Sequence, residues 1–218
     1  MSATSPHDRA HPLFARAWAA AMVRLQPGSM LEQRDALAAG LHGTVVEVGC
    51  GSGTAFRHYP PEVERVIAIE PEPYLRRQAM RAAAWAPVRV EVRPGVAEHL
   101  PLDDASVDAA VCSLVLCSVP DQAAALTEIA RVLRPGGELR YYEHVAEPAG
   151  TLSRRAQDLL DATGAWAAIG GGCHVARDTA AAIRTAGFTI DRERTETLGP
   201  PLIVPVRRHL LGVARLPA

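Results

Sequence analysis

The chain has 218 residues, 48% of them hydrophobic, with a net charge of -1 at pH 7; that is enough for one well-buried domain and too little positive charge for a dominant phosphate-binding surface, so no nucleic-acid partner is expected. Lysine and asparagine are absent and all 23 basic residues are arginine, which excludes Schiff-base catalysis and a P-loop lysine. Four cysteines without C-x-x-C spacing suggest reduced thiols and a cytoplasmic setting.

In chain order, Leu13, Phe14, Trp18, Met22 and Leu25 form an apolar stripe at helical spacing, ended by Gln26-Pro27-Gly28-Ser29 as a turn. Arg16 and Arg24 interrupt the stripe, which is also shorter than a bilayer span and lacks a signal-peptide cleavage pattern, so no transmembrane segment is expected. From residue 44 a rhythm begins: strand Thr44 to Val48, helix from Thr54, strand Arg65 to Ile69, helix Tyr74 to Ala84, strand Val88 to Val92. Strand Val107 to Ser113, helix Gln122 to Val132 and strand Glu138 to His144 continue it, implying βαβ units and a parallel sheet. Helices follow over Leu152 to Thr163 and Asp178 to Ala186, the second with an Asp start and Gly187 as its stop. Strands Thr189 to Glu196 and Val204 to Leu216 close the chain, with Arg207, Arg208 and His209 read as a solvated strand edge.

The most informative stretch is Val45-Val46-Glu47-Val48-Gly49-Cys50-Gly51-Ser52-Gly53-Thr54, in which an apolar strand runs into a glycine-rich turn that can admit a ligand to the backbone. A dinucleotide fingerprint would need a glycine at position 54, where Thr54 stands, so hydride chemistry loses ground. The next strand ends on Glu70, whose carboxylate can accept hydrogen bonds from both hydroxyls of a ribose. Strand five ends in Tyr141-Tyr142-Glu143-His144-Val145, with an imidazole able to take a proton near neutral pH and a carboxylate able to orient it or bind substrate; a hydrogen-bonded structural pair is the other reading. Ile169-Gly170-Gly171-Gly172-Cys173-His174 reads as a mobile glycine-rich loop bearing two reactive side chains, or as a plain turn before a helix. Cys112 and Cys117 read as small apolar groups. His144, Glu143, Cys173 and His174 lack paired ligand spacing, so no metal is expected.

These motifs, with Gly95-Val96-Ala97-Glu98-His99-Leu100-Pro101, Ser106 to Val111 and Arg131 to Gly137, resemble in order those of the class I S-adenosylmethionine methyltransferases over residues 40 to 145. The resemblance implies an α/β, Rossmann-like sandwich whose central, mostly parallel seven-stranded sheet carries helices on both faces. It further implies one domain over residues 1–218, with an N-terminal helical cap (1–40), a cofactor-binding core (41–145) and substrate-side helices with closing strands (146–218). S-adenosylmethionine would sit on Gly49, Cys50, Gly51 and Gly53, with Glu47 ordering the turn, Glu70 on the ribose, Pro71 on the adenine face, Ala97 and Glu98 flanking adenine, and Ser113 and Leu114 at the methionine end. Phe14 and Trp18 would line the substrate pocket if the N-terminal helix closes over it, with Cys173 and His174 on the other side; His144 and Glu143 are the first choice for catalysis.

Longer matching words, among them Tyr59-Pro60-Pro61, Ser113 to Val119, Glu143-His144-Val145 and Gly172-Cys173 with Arg177-Asp178, are similar to a group of thiol S-methyltransferases. That group implies transfer of a methyl group to a small-molecule thiol, leaving S-adenosylhomocysteine. O- or N-methylation of a secondary metabolite or quinone precursor, and cofactor binding without turnover, remain open; without asparagine the Asn-Pro-Pro-Tyr signature of DNA amino-methylation cannot occur. The animal members begin with a hydrophobic membrane segment where this chain has the arginine-interrupted stretch, so a soluble bacterial form is expected, monomer or homodimer.

Overall fold

The computed structural model describes residues 28–198 and 205–218. Helix α1 (Gly28–Ala38) leads into β1 (Gly43–Val48), followed by β2 (Val63–Ile69), α2 (Pro73–Ala83), β3 (Arg89–Arg93), β4 (Val107–Ser113), α3 (Gln122–Val132) and β5 (Leu133–His144). The second half adds α4 (Leu152–Thr163), α5 (Ala165–Ile169), α6 (Thr179–Thr185), β6 (Thr189–Thr197) and β7 (Arg208–Arg215). One seven-stranded sheet runs β3-β2-β1-β4-β5-β7-β6, with β7 antiparallel to both neighbours and the first five strands parallel.

Alternation along the strands sends side chains to two faces, and both are covered. Val46, Val48, Ile67 and Leu139 pack with Leu126 and Ile129 of α3 and Ile183 of α6. Val45, Val66 and Tyr142 pack on the other face with Leu37 of α1 and Ala79 of α2. The chain reverses direction across the sheet between β1 and β4, and ligands of open α/β sheets bind outside the carboxyl ends of the strands at such a point.

Helix ends follow their local chemistry. Asp121 and Asp178 cap α3 and α6 by accepting from Ala124 N and Ala181 N, and Gly187, with φ +91°, takes over where α6 stops. Four expectations are corrected. Gly28 and Ser29 open a helix rather than a turn. The helix expected from Thr54 is a single 3-10 turn, Phe56–His58, because Tyr59, Pro60 and Pro61 follow within one turn and the prolines cannot continue it. Helix α5 was not anticipated. Arg207, Arg208 and His209 are no solvated edge: β7 lies between β5 and β6, Arg207 Nε donates to Glu147 at 2.7 Å, and His209 is buried and stacked on Tyr142. The expected helix over residues 13–25, with Phe14 and Trp18, and the start at Val204 lie outside the described residues. Among the described residues no helix is long and apolar enough to cross a membrane.

Candidate functional site

The turn after β1 is anchored by its own backbone: Gly49 N and Cys50 N both donate to Ile69 O, at 2.8 and 3.0 Å, tying the turn to the end of β2. Gly49 has φ +68°, and a Cβ there would lie 2.6 Å from Cγ2 of Val115. Gly51, with φ +56°, has nothing within 4 Å of where its Cβ would be; that space belongs to a cavity of 480 Å³. A backbone held open in this way suits a ligand that lies against it. Gly49→Ala is expected to destabilise the fold by about 2–4 kcal/mol through the left-handed φ and the Val115 clash, read as a lower denaturant midpoint. Relief by adding Val115→Ala separates the clash from the backbone strain.

Glu70 faces the same cavity from the end of β2. Its Oε2 accepts from Gly51 N and its Oε1 from Glu72 N, both at 2.8 Å, so the acid and the glycine turn are directly joined. Burial pushes its carboxyl up to about 7 against the pull of those two N–H groups. Both oxygens keep lone pairs for a ribose diol. Glu47 is buried beneath the turn, where it accepts from the Tyr59 hydroxyl at 2.8 Å, and burial likewise pushes it up to about 7. It orders the segment after the turn rather than the turn itself.

At the end of β4 the chain passes through Ser113 and Leu114, the latter at φ +60°, a conformation non-glycine residues rarely take and one that clusters at functional sites. Leu114 N donates to Tyr142 O, and the buried Glu143 carboxylate accepts from Val115 N at 3.0 Å and Cys117 N at 3.1 Å. Burial raises the Glu143 carboxyl, opposed by these backbone donors. Glu143 therefore positions the loop after β4; it does not line the cavity.

His144, next along β5, does line it. Its Nδ1 is 3.3 Å from Cys173 Sγ and 3.7 Å from Cys117 Sγ, and its ring meets His209 edge-on. Cys117 and Cys173 share a hydrogen bond that pulls the Cys173 thiol down and leaves the Cys117 thiol raised; His144 and the Trp166 indole also favour the Cys173 thiolate. Trp166 of α5 and Gly170 to Gly172 complete this wall.

Of the residues expected from the sequence, Gly49, Gly51, Glu70, Pro71, Ala97, Glu98, Ser113, Leu114, His144 and Cys173 surround one cavity. Glu47, Cys50, Gly53, Glu143 and His174 do not line it. Phe14 and Trp18 lie outside the described residues. Sequence reasoning missed Trp166 on the wall and read Cys117, which meets His144 just beside it, as a small apolar group. Cys117 had a signal, since β4 and β5 are neighbours and both their C-terminal ends reach this site; Trp166 had none short of the path of α5.

A family profile described as a methyltransferase domain matches residues 46–141. Thiol S-methyltransferase TMT1B of Homo sapiens is 39% identical over 176 residues, covering 78% of this chain and 69% of that protein. Thiol S-methyltransferase TMT1A of Homo sapiens is 37% identical over 176 residues, covering 78% and 70%. Among solved structures, a putative methyltransferase from Bacillus halodurans shares the fold with a TM-score of 0.69 at 18% identity, covering 88% of this chain and 100% of that one. With the glycine turn, the strand-end acid and the cavity between them, these matches show that the chain is an S-adenosylmethionine-dependent enzyme and belongs to the class I methyltransferases, in the family that includes these thiol S-methyltransferases.

Proposed function

We propose that the enzyme transfers the methyl group of S-adenosylmethionine to the sulfur of a small, largely apolar thiol. S-adenosylmethionine supplies an electrophilic methyl group on a sulfonium centre. The protein's share is then to hold both reactants in line, exclude water and favour the acceptor thiolate. Glu70 receives the ribose hydroxyls, Pro71, Ala97 and Glu98 border the adenine, and the Gly49–Gly51 backbone with Ser113 and Leu114 borders the methionyl part.

The acceptor sits beyond Leu114, against Trp166, His144 and Cys173. The single observation that carries the thiol reading is the kinship with proteins named thiol S-methyltransferases, at 39% identity over 78% of this chain. The chemistry of the wall is compatible: an alkyl thiol with a pKa of about 8.5 is already partly ionised at neutral pH and needs only modest help. His144 lies where it can give that help.

The test is methyl transfer to thiols and phenols matched in all but the acceptor atom, followed by mass spectrometry of the products and of S-adenosylhomocysteine. Thioether products from the thiols, with at least about tenfold preference in kcat/KM, are expected, since a phenol of pKa about 10 is less ionised. Preference for the phenols would overturn the thiol reading and leave the methyltransferase standing.

A further inference from the structure

At the acceptor wall, three donors converge from three separate segments. Cys117 Sγ, His144 Nδ1 and Cys173 Sγ all lie within 4.8 Å of one another. The nitrogen–sulfur separations are 3.3 Å to Cys173 and 3.7 Å to Cys117. In a tetrahedral zinc site with Zn–S of about 2.3 Å and Zn–N of about 2.0 Å, neighbouring ligand atoms stand about 3.5 Å apart. The two nitrogen–sulfur pairs already stand near that spacing, and the two sulfurs lie within 4.8 Å of each other.

We propose that Cys117, His144 and Cys173 hold a zinc ion whose fourth position opens into the cavity, where an acceptor thiol coordinates; the second half of this statement rests on the thiol reading above. This replaces the expectation of no metal, which followed from the lack of a paired spacing along the chain: the ligands are 27 and 29 residues apart and meet only in the fold.

The surroundings are built to keep the donors in place. Glu143 pins the Cys117 segment through Val115 N and Cys117 N. His174 N donates to Cys117 O at 2.7 Å, clasping the two cysteine segments together. Asp161 accepts from Val175 N and Ala176 N, both at 2.9 Å, and so holds the chain just after Cys173. These bonds fix the backbone of the segments that carry the two cysteine ligands. Cys117 and Cys173 are almost wholly buried, and two thiolates with a neutral imidazole make a zinc complex of zero net charge, which limits the cost of burying it. Three protein ligands with one position free is the pattern of a catalytic zinc site, and His144 and Cys173 face the cavity from which a fourth ligand would arrive.

The chemistry balances without an added reagent. Coordination of the acceptor releases its thiol proton to solvent, since a thiol bound to zinc is deprotonated. Methyl transfer then breaks the sulfonium carbon–sulfur bond and forms the acceptor carbon–sulfur bond. The thioether formed is neutral and a weaker ligand than a thiolate, so it leaves.

The experiment uses the full chain purified from zinc-supplemented cells, assayed for zinc by mass spectrometry, then stripped and titrated with cobalt(II) as a spectroscopic probe. About one zinc per chain is expected, with a near-ultraviolet sulfur-to-cobalt charge-transfer band that shifts when a small thiol is added. Cys117→Ser and Cys173→Ser are each expected to lose at least about 10- to 100-fold in metal affinity. Should a variant fail to fold, the wild-type cobalt spectrum still decides. A folded wild-type protein without zinc and without the charge-transfer band overturns the proposal. So does undiminished thiol methylation by the stripped protein, which leaves the thiol reading intact. One zinc held by these cysteines with no thiol turnover upholds the site and overturns the thiol reading instead.

Discussion

His144→Ala is expected to lower methyl transfer to an alkyl thiol about 100-fold while the affinity for S-adenosylmethionine stays within about twofold. The separation follows from the sheet. Glu70 directly follows β2 and His144 ends β5, and three strand-to-strand steps lie between them, about 14 Å. A change at His144 therefore does not touch the ribose end. Whether the imidazole takes the acceptor proton itself or helps hold a metal that displaces it, the benefit is the same: more acceptor thiolate at working pH. The deficit in the variant should accordingly shrink as pH rises toward the acceptor's own pKa, and should be smaller for acceptors of lower thiol pKa. The check is kcat/KM for a series of thiols of graded pKa, at several pH values, beside calorimetry with the cofactor. A deficit that is constant across the series would remove His144 from any part in the acceptor's ionisation.

Much of the fold is legible because local signals agree with the global arrangement. Val45, Val46 and Val48 make a β-branched run that belongs in the middle of a sheet covered on both faces, and all three are essentially fully buried. Asp178 and Gly187 mark the limits of α6 by chemistry that needs no tertiary contact. Helix α1 hides for the opposite reason. It buries Gln33 and Arg34 together with Leu37 and Ala38, so its inward face is half polar and its sequence carries no apolar stripe. Gln33 finds its partner in Glu196, 163 residues away, which no local pattern announces. The segment after Thr54 misled because alternation of strand and helix suggests a full helix where Pro60 and Pro61 allow only one tight turn.

The candidate site divides in the same way. Its cofactor side is written in contiguous words, the glycine turn and the acid nineteen residues beyond Gly51, and these meet through one hydrogen bond of 2.8 Å. Its acceptor side is assembled from the ends of β4 and β5 and the loop after α5, whose order in space depends on the whole sheet. Glu143 shows the limit of reading residue types: a carboxylate beside a histidine suggests a catalytic pair, yet its two oxygens are turned away to hold Val115 and Cys117 backbone.

Glu70→Ala is expected to weaken S-adenosylmethionine binding about 100-fold, because a charged acceptor contributes about 1.5–3 kcal/mol per hydrogen bond and the ribose offers two hydroxyls, less what water restores. The wild-type protein should also bind with a pH dependence that glutamine abolishes. Burial holds the Glu70 carboxyl at about 7 in the free protein against 4.5 ordinarily. The cofactor brings a positive sulfonium and donors for the ionised form, so binding lowers that value and releases a proton. If only the ionised form binds well, its fraction grows about tenfold between pH 6 and pH 8, and affinity for the cofactor rises with it. The same shift has an opposite sign for folding. The folded chain holds this proton more tightly than the unfolded one, so its contribution favours the fold at low pH and is lost as pH rises from 4.5 to about 7. Bound cofactor then restores the loss at the pH where the enzyme is loaded. Calorimetry in two buffers of different ionisation enthalpy measures the released proton directly; binding that is pH-independent with no proton released would remove the raised Glu70 carboxyl, and undiminished cofactor affinity in Glu70→Ala would remove Glu70 as the ribose acceptor.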